Sequence, residues 1–88
     1  MSKVMMTSDK TESLKAASSL LNSCEMLVVF TVEREGNRTV LHILADDKKL
    51  EYSVIKDQDM LNFLNELKQQ VDHPEDVEEV LMEFKDLK

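Results

Sequence analysis

The chain has 88 residues, 42% of them hydrophobic, and 18 acids against 11 bases give it a formal net charge of −7. That length makes one domain with a modest core and excludes a deep cavity. No apolar run approaches the roughly 18 residues of a membrane span, and the single cysteine, Cys24, excludes an internal disulfide.

The opening MSKVMMTSDK lacks the apolar core of a signal peptide, and the lone cysteine makes a reducing cytoplasm the expected setting. Residues 1–8 show no periodicity and are expected to be flexible. Residues 9–88 read as a single α+β domain in the order helix, three strands, helix, helix. The first helix should begin near Ser8 or Asp9, because Asp9 and Glu12 have capping-box spacing. Leu14, Ala17, Leu20, Leu21 and Cys24 form its apolar stripe, and Asn22 and Ser23 weaken its end. Cys24 reads as a small core residue, since no basic neighbour would activate the thiol.

From Glu25 to Glu35 the run of β-branched and apolar residues predicts a buried strand. Gly36-Asn37 predicts a tight hairpin, with Gly36 at the positive φ of a type II′ turn. The chain then returns along Arg38 to Ala45. Asp46-Asp47-Lys48 makes a second turn, and Lys49 to Lys56 a third strand with Leu50, Tyr52 and Val54 on one side. The result is an antiparallel meander. Its first two strands are apolar on both faces, whereas a half-exposed sheet should alternate. A symmetric second copy would cover the extra face or edge through Leu27, Val29, Val40, His42 and Leu44, so a homodimer is expected. The alternative is a monomer whose first helix lies over that face.

Asp57 or Asp59 should cap the next helix, whose stripe is Met60, Leu61, Phe63, Leu64, Leu67 and Val71. His73-Pro74 breaks it from a last helix over Asp72 to Asp86, with Pro74 at the first helical position. Val77, Val80, Leu81, Phe84 and Leu87 form the buried stripe there. The other side carries Glu75, Asp76, Glu78, Glu79, Glu83 and Asp86, with Met82 exposed among them. Residues 57–88 hold three bases against ten acids and so account for the whole imbalance, while residues 1–24 and 25–56 are nearly neutral. Seven acids and one lysine between Asp72 and Asp86 leave about one net charge per 3.7 Å of helix axis, close to the 3.4 Å per phosphate of one DNA strand. Such a field repels nucleic acid and anionic membranes and favours a basic partner. The plainer account is a solvated face that keeps the chain soluble.

Catalytic patterns are sparse, and no enzyme activity is expected. Ser13, Ser18, Ser19, Ser23 and Ser53 lack a nucleophile-elbow context. His42 reads as a packed or interface histidine, and His73 as part of a helix cap. Neither has a second His or Cys at ligand spacing, so no metal or cofactor is expected. Asp57-x-Asp59 lacks the rest of a calcium loop. One glycine cannot build a phosphate-cradling loop.

The acids of Glu75-Asp76-Val77-Glu78-Glu79, with Asp72, Glu83, Asp86, Asp57, Asp59 and Asp46-Asp47, give the chain a character that resembles the phage-encoded DNA mimics. Within that group the likeness is to small acidic inhibitors of the bacterial histone-like protein HU. It rests on size and character over the whole chain, and Lys48, Lys49 and Lys56 interrupt it. The resemblance implies an inhibitor in the host cytoplasm or nucleoid. Those acids, with Met82 at the centre, would occupy the DNA-binding surface of a basic host protein. The element order also looks like that of one small acidic anti-CRISPR inhibitor. The competing expectation is a generic interaction module, such as an adaptor, antitoxin, chaperone or anti-CRISPR-like inhibitor, that binds through its apolar sheet face or edge.

Overall fold

A computed structural model describes the backbone of residues 3–7 and, in full, residues 9–23, 28–45 and 48–86. The elements are β1 (Lys3–Thr7), α1 (Lys10–Ser23), β2 (Val28–Glu35), β3 (Arg38–Ala45), β4 (Lys48–Val54), α2 (Asp57–Lys68) and α3 (Pro74–Asp86). The expected helix, meander and two helices are all present. The expectation of a flexible N-terminus is corrected over residues 3–7, which form a fourth strand. β1 pairs in parallel with β4, from Lys3 opposite Lys48 to Thr7 opposite Tyr52. Five residues at a sheet edge are too few to show a period, which is why the strand is invisible in the sequence. The sheet order is β1-β4-β3-β2, so β2 is the other edge.

Local chemistry sets the element ends. Asp9 caps α1: its Oδ1 accepts the backbone N–H groups of Thr11 at 2.9 Å and Glu12 at 3.2 Å. Gly36 has φ +66°, the left-handed conformation that the first position of a primed turn requires. That two-residue turn fixes the β2–β3 register, with Thr31 opposite His42 and Val29 opposite Leu44. α2 departs from expectation at its start. Lys56 is the residue before the helix, in extended conformation and without a side-chain cap. Neither Asp57 nor Asp59 caps it. Asp57 instead turns back to the sheet, where its carboxylate accepts the Thr39 hydroxyl at 2.9 Å and pairs with Arg34 at 3.0 Å.

All three helices lie on one face of the sheet. Leu14 and Ala17 of α1 share a single buried cluster with Met60, Phe63, Leu64 and Leu67 of α2 and Val77, Val80, Leu81 and Phe84 of α3. Val32, Leu41, Ile43, Leu50, Tyr52 and Val54 meet them from the sheet. The Tyr52 and Phe63 rings stack with centroids 4.1 Å apart. Because α1 joins this cluster, it does not cover the opposite face of the meander. That face carries Val29, Thr31, Glu33 and Glu35 of β2, Arg38, Val40, His42 and Leu44 of β3, and Lys49, Glu51 and Ser53 of β4. Among the described residues, no helix is long and apolar enough to cross a membrane.

Candidate functional site

α3 displays what its periodicity dictates. Val77, Val80, Leu81 and Phe84 are buried, while Glu75, Asp76, Glu78, Glu79, Met82, Glu83 and Asp86 are exposed, and so is Asp72 just before the helix. At 100° per residue these carboxylates wrap more than a third of the helix circumference. Only Glu75 among them has an ionic partner among the described residues: His73 Nδ1 lies 3.1 Å from its Oε1. The Glu75 backbone N–H and His73 together hold that carboxyl below the ordinary range. Met82 lies within this face, 63% exposed.

Lys10, Arg34 and Arg38 are engaged elsewhere. Lys10 pairs with Glu66 across α1 and α2. Arg34 pairs with Asp57, and Arg38 donates to the Ser53 hydroxyl at 3.0 and 3.3 Å. Among the described residues, none of these side chains reaches the α3 carboxylates.

The remaining predicted partner-binding acids divide. Asp59 is exposed on α2. Asp57 is half-buried and holds Thr39 and Arg34, so it serves the fold rather than the acidic surface. Asp46 and Asp47 lie outside the described residues, as do Leu87 and Cys24.

Of the residues expected at a dimer interface, Val29 and Leu44 are a cross-strand pair, 49% and 40% exposed. Leu27 lies outside the described residues. Val40 is corrected: it sits on the open face but is buried within its own chain. Arg38 and His42 flank it along β3, with Glu33 opposite on β2 and Ser53 on β4. Polar neighbours on both flanking strands and along β3 therefore surround it. Three carboxylates surround His42 in turn. Its Nε2 lies 3.1 Å from Glu35 and 3.7 Å from Glu33, and its Nδ1 lies 3.2 Å from Glu51. Glu33, Glu35 and His42 bring one ligand atom each to within 4.8 Å of the others, the spacing a metal ion would need. Of the two carboxylates, that of Glu35 is within hydrogen-bond distance of the imidazole Nε2.

One feature of the α3 region is not evident in the sequence. Beside the acidic face runs an open groove of about 430 Å³, lined by apolar Leu21, Val28, Phe30, Val71 and Val80. Asp76, Glu79 and Glu83 form its α3 rim, and His73 and Asn22 also border it. Asn22 ties α1 to the connection between α2 and α3, and so holds that end of the groove together. The signal lay in Val28 and Phe30. They alternate toward the helices on an edge strand, so one side of them has no strand neighbour to cover it. No protein-family model, curated protein or solved structure matches the chain.

Proposed function

We propose that this protein is a non-enzymatic binder that presents the acidic face of α3 to a basic nucleic-acid-binding partner, in the manner of a DNA mimic. One observation carries the reading. Asp76, Glu78, Glu79, Glu83 and Asp86 are exposed and, among the described residues, have no cationic partner. Six acids and Lys85 along the 13 residues of α3 leave five net negative charges over about 20 Å. Like charges at i, i+4, such as Glu75 and Glu79 or Glu79 and Glu83, cost the helix a few tenths of a kcal/mol each. An arrangement that opposes helix stability and lacks internal neutralisation suits an external cationic surface. A basic DNA-binding protein of a bacterial host, such as HU, has the required chemistry, and the setting would be that host's cytoplasm or nucleoid.

The test is competition. The protein should displace DNA from HU at about 50 mM salt, and far less well at about 300 mM, where screening is shorter-ranged. Reversing Glu78, Glu79 and Glu83 to lysine should abolish displacement. All three are exposed, so the fold should survive. Undiminished competition by the folded triple variant rules the reading out.

A second reading has its own observation. The exposed pair Val29 and Leu44 on the uncovered sheet face suits an apolar contact, with a second copy of the chain or with another protein. That contact would be insensitive to salt and sensitive to Val29→Asp.

A further inference from the structure

We infer that the groove beside α3 is an anchor site for one bulky apolar side chain of a cationic partner segment, whose flanking lysines or arginines reach Asp76, Glu79 and Glu83. This rests on the reading that α3 faces a basic partner and adds to it what the partner must carry. Three features lead to it. The floor is apolar and shared between elements: Val28 and Phe30 come from β2, Leu21 from α1 and Val80 from α3. Leu21, Val28, Phe30 and Val71 pack on the core but are only partly buried by it, so apolar surface remains open to an occupant. The rim is acidic: Asp76, Glu79 and Glu83 stand at i, i+3 and i+7, along one side of α3.

Charge complementarity selects the occupant. Among the described lining residues, three are carboxylates and none is lysine or arginine. A nucleotide, a fatty-acid carboxylate or a second copy of this chain, with its own net charge of −7, would be repelled at the rim. A segment of alternating basic and apolar character satisfies both rim and floor. The volume sits at the small end of ligand clefts, roughly 300–1,000 Å³, which suits one large side chain better than a deeply inserted helix. Binding would then have two parts: a salt-sensitive part from the carboxylates and a salt-resistant part from the groove.

The experiment uses the whole chain with labelled valine and leucine methyl groups, titrated by NMR with two synthetic peptides. One has a leucine between two runs of three lysines; the other has glycine at the centre. The leucine peptide should bind about tenfold more tightly, as expected for burying one side chain. It should also shift the methyl resonances of Val28, Val71 and Val80. Val71→Ser should reduce the difference between the peptides and leave the glycine peptide unaffected. Equal affinities with unmoved groove methyls would overturn the anchor site while leaving the acidic-face reading intact. So would a leucine preference that Val71→Ser leaves unchanged. If neither peptide binds at low salt, both readings fall.

Discussion

Asn22 accepts the backbone N–H of Asp72 at 2.8 Å, joining residues 50 apart in sequence. Its Nδ2 also donates to the Gln70 carbonyl at 3.2 Å. One side chain from the end of α1 therefore substitutes for a helical partner just where α2 ends and α3 has not begun. These bonds set the angle at which the acidic helix leaves the connection. Asn22→Ala should lower stability by about 1 kcal/mol, the worth of exposed hydrogen bonds of this kind. The Asp72 amide should exchange faster with solvent in this variant than in the wild-type chain, and the amides of α2 should change less. Chemical denaturation and hydrogen exchange measure the two effects. Unchanged exchange at Asp72 would mean that the clamp does not hold the connection.

Thr39 is fully buried, and its hydroxyl donates to Asp57 at 2.9 Å. Asp57 also faces Arg34 and sits in the first turn of α2, where the helix dipole favours a carboxylate. The triad fastens the hairpin to α2. Thr39→Val keeps the shape and removes the donor, and should cost about 1–2 kcal/mol in thermal or denaturant unfolding. Asp57→Ala should cost more, because it also strands Arg34 and the Thr39 hydroxyl.

Ser13 runs the other way. Its hydroxyl is buried with no hydrogen-bond partner among the described residues. Alanine is the better helix former and has no polar group to desolvate. Ser13→Ala should therefore raise stability, by up to about 1 kcal/mol, at a position where the side chain contributes only volume. A loss of stability on unfolding would show that the hydroxyl does have a partner.

These residues also mark how far the sequence could be read. Periodicity alone identified Met60, Phe63, Leu64 and Leu67 of α2 and Val77, Val80, Leu81 and Phe84 of α3 as buried, and Glu75, Glu78, Glu79, Glu83 and Asp86 as exposed, because each depends on neighbours within one element. Asp9 and Gly36 were legible for the same reason: a cap and a primed turn are local chemistry. Contacts between elements were not. Asn22 looked like a flaw at the end of a helix, and Asp57 like a cap, because their partners lie 50 and 18 residues away. β1 was missed because its pairing with β4 depends on the sheet rather than on its own pattern. The His42 hub was closer to reach. Once the two-residue turn fixes the register, Glu33, Glu35, His42 and Glu51 all fall on the same face.

Alkaline pH should weaken the fold from the Tyr52 end. Burial pushes the Tyr52 phenol above its usual value of 10.0 and outweighs the opposing pull of Lys10. The folded state thus holds that proton more tightly than the unfolded state. Stability is full below pH 10 and falls as pH rises from there through the folded value. Lys10 acts in the same direction. Its hydrogen bond to Glu66 raises the ammonium above 10.5, so its contribution is present below that value and is lost as pH rises through the folded one. Denaturant unfolding between about pH 8 and pH 11 should show a decline that Tyr52→Phe makes shallower. An unchanged slope would place the alkaline sensitivity elsewhere.

The uncovered face of the sheet carries an exposed apolar pair. Val29 and Leu44 lie directly opposite each other on β2 and β3, and both are large, apolar and exposed. Around them the face is largely polar: Arg38 donates to the Ser53 hydroxyl, and His42 lies against Glu35 and Glu51. The apolar pair is therefore the part of this face with surface left to bury, and a two-fold axis near it would set the pair against its own copy. Sedimentation equilibrium should report a dimer. Val29→Asp should yield a folded monomer, since the side chain makes little of the core. Its effect should be independent of the α3 charge reversals, because α3 lies on the opposite face of the sheet. A wild-type chain that sediments as a monomer up to about 100 μM, corresponding to a self-association free energy weaker than about −5.5 kcal/mol, would remove the second copy from this face.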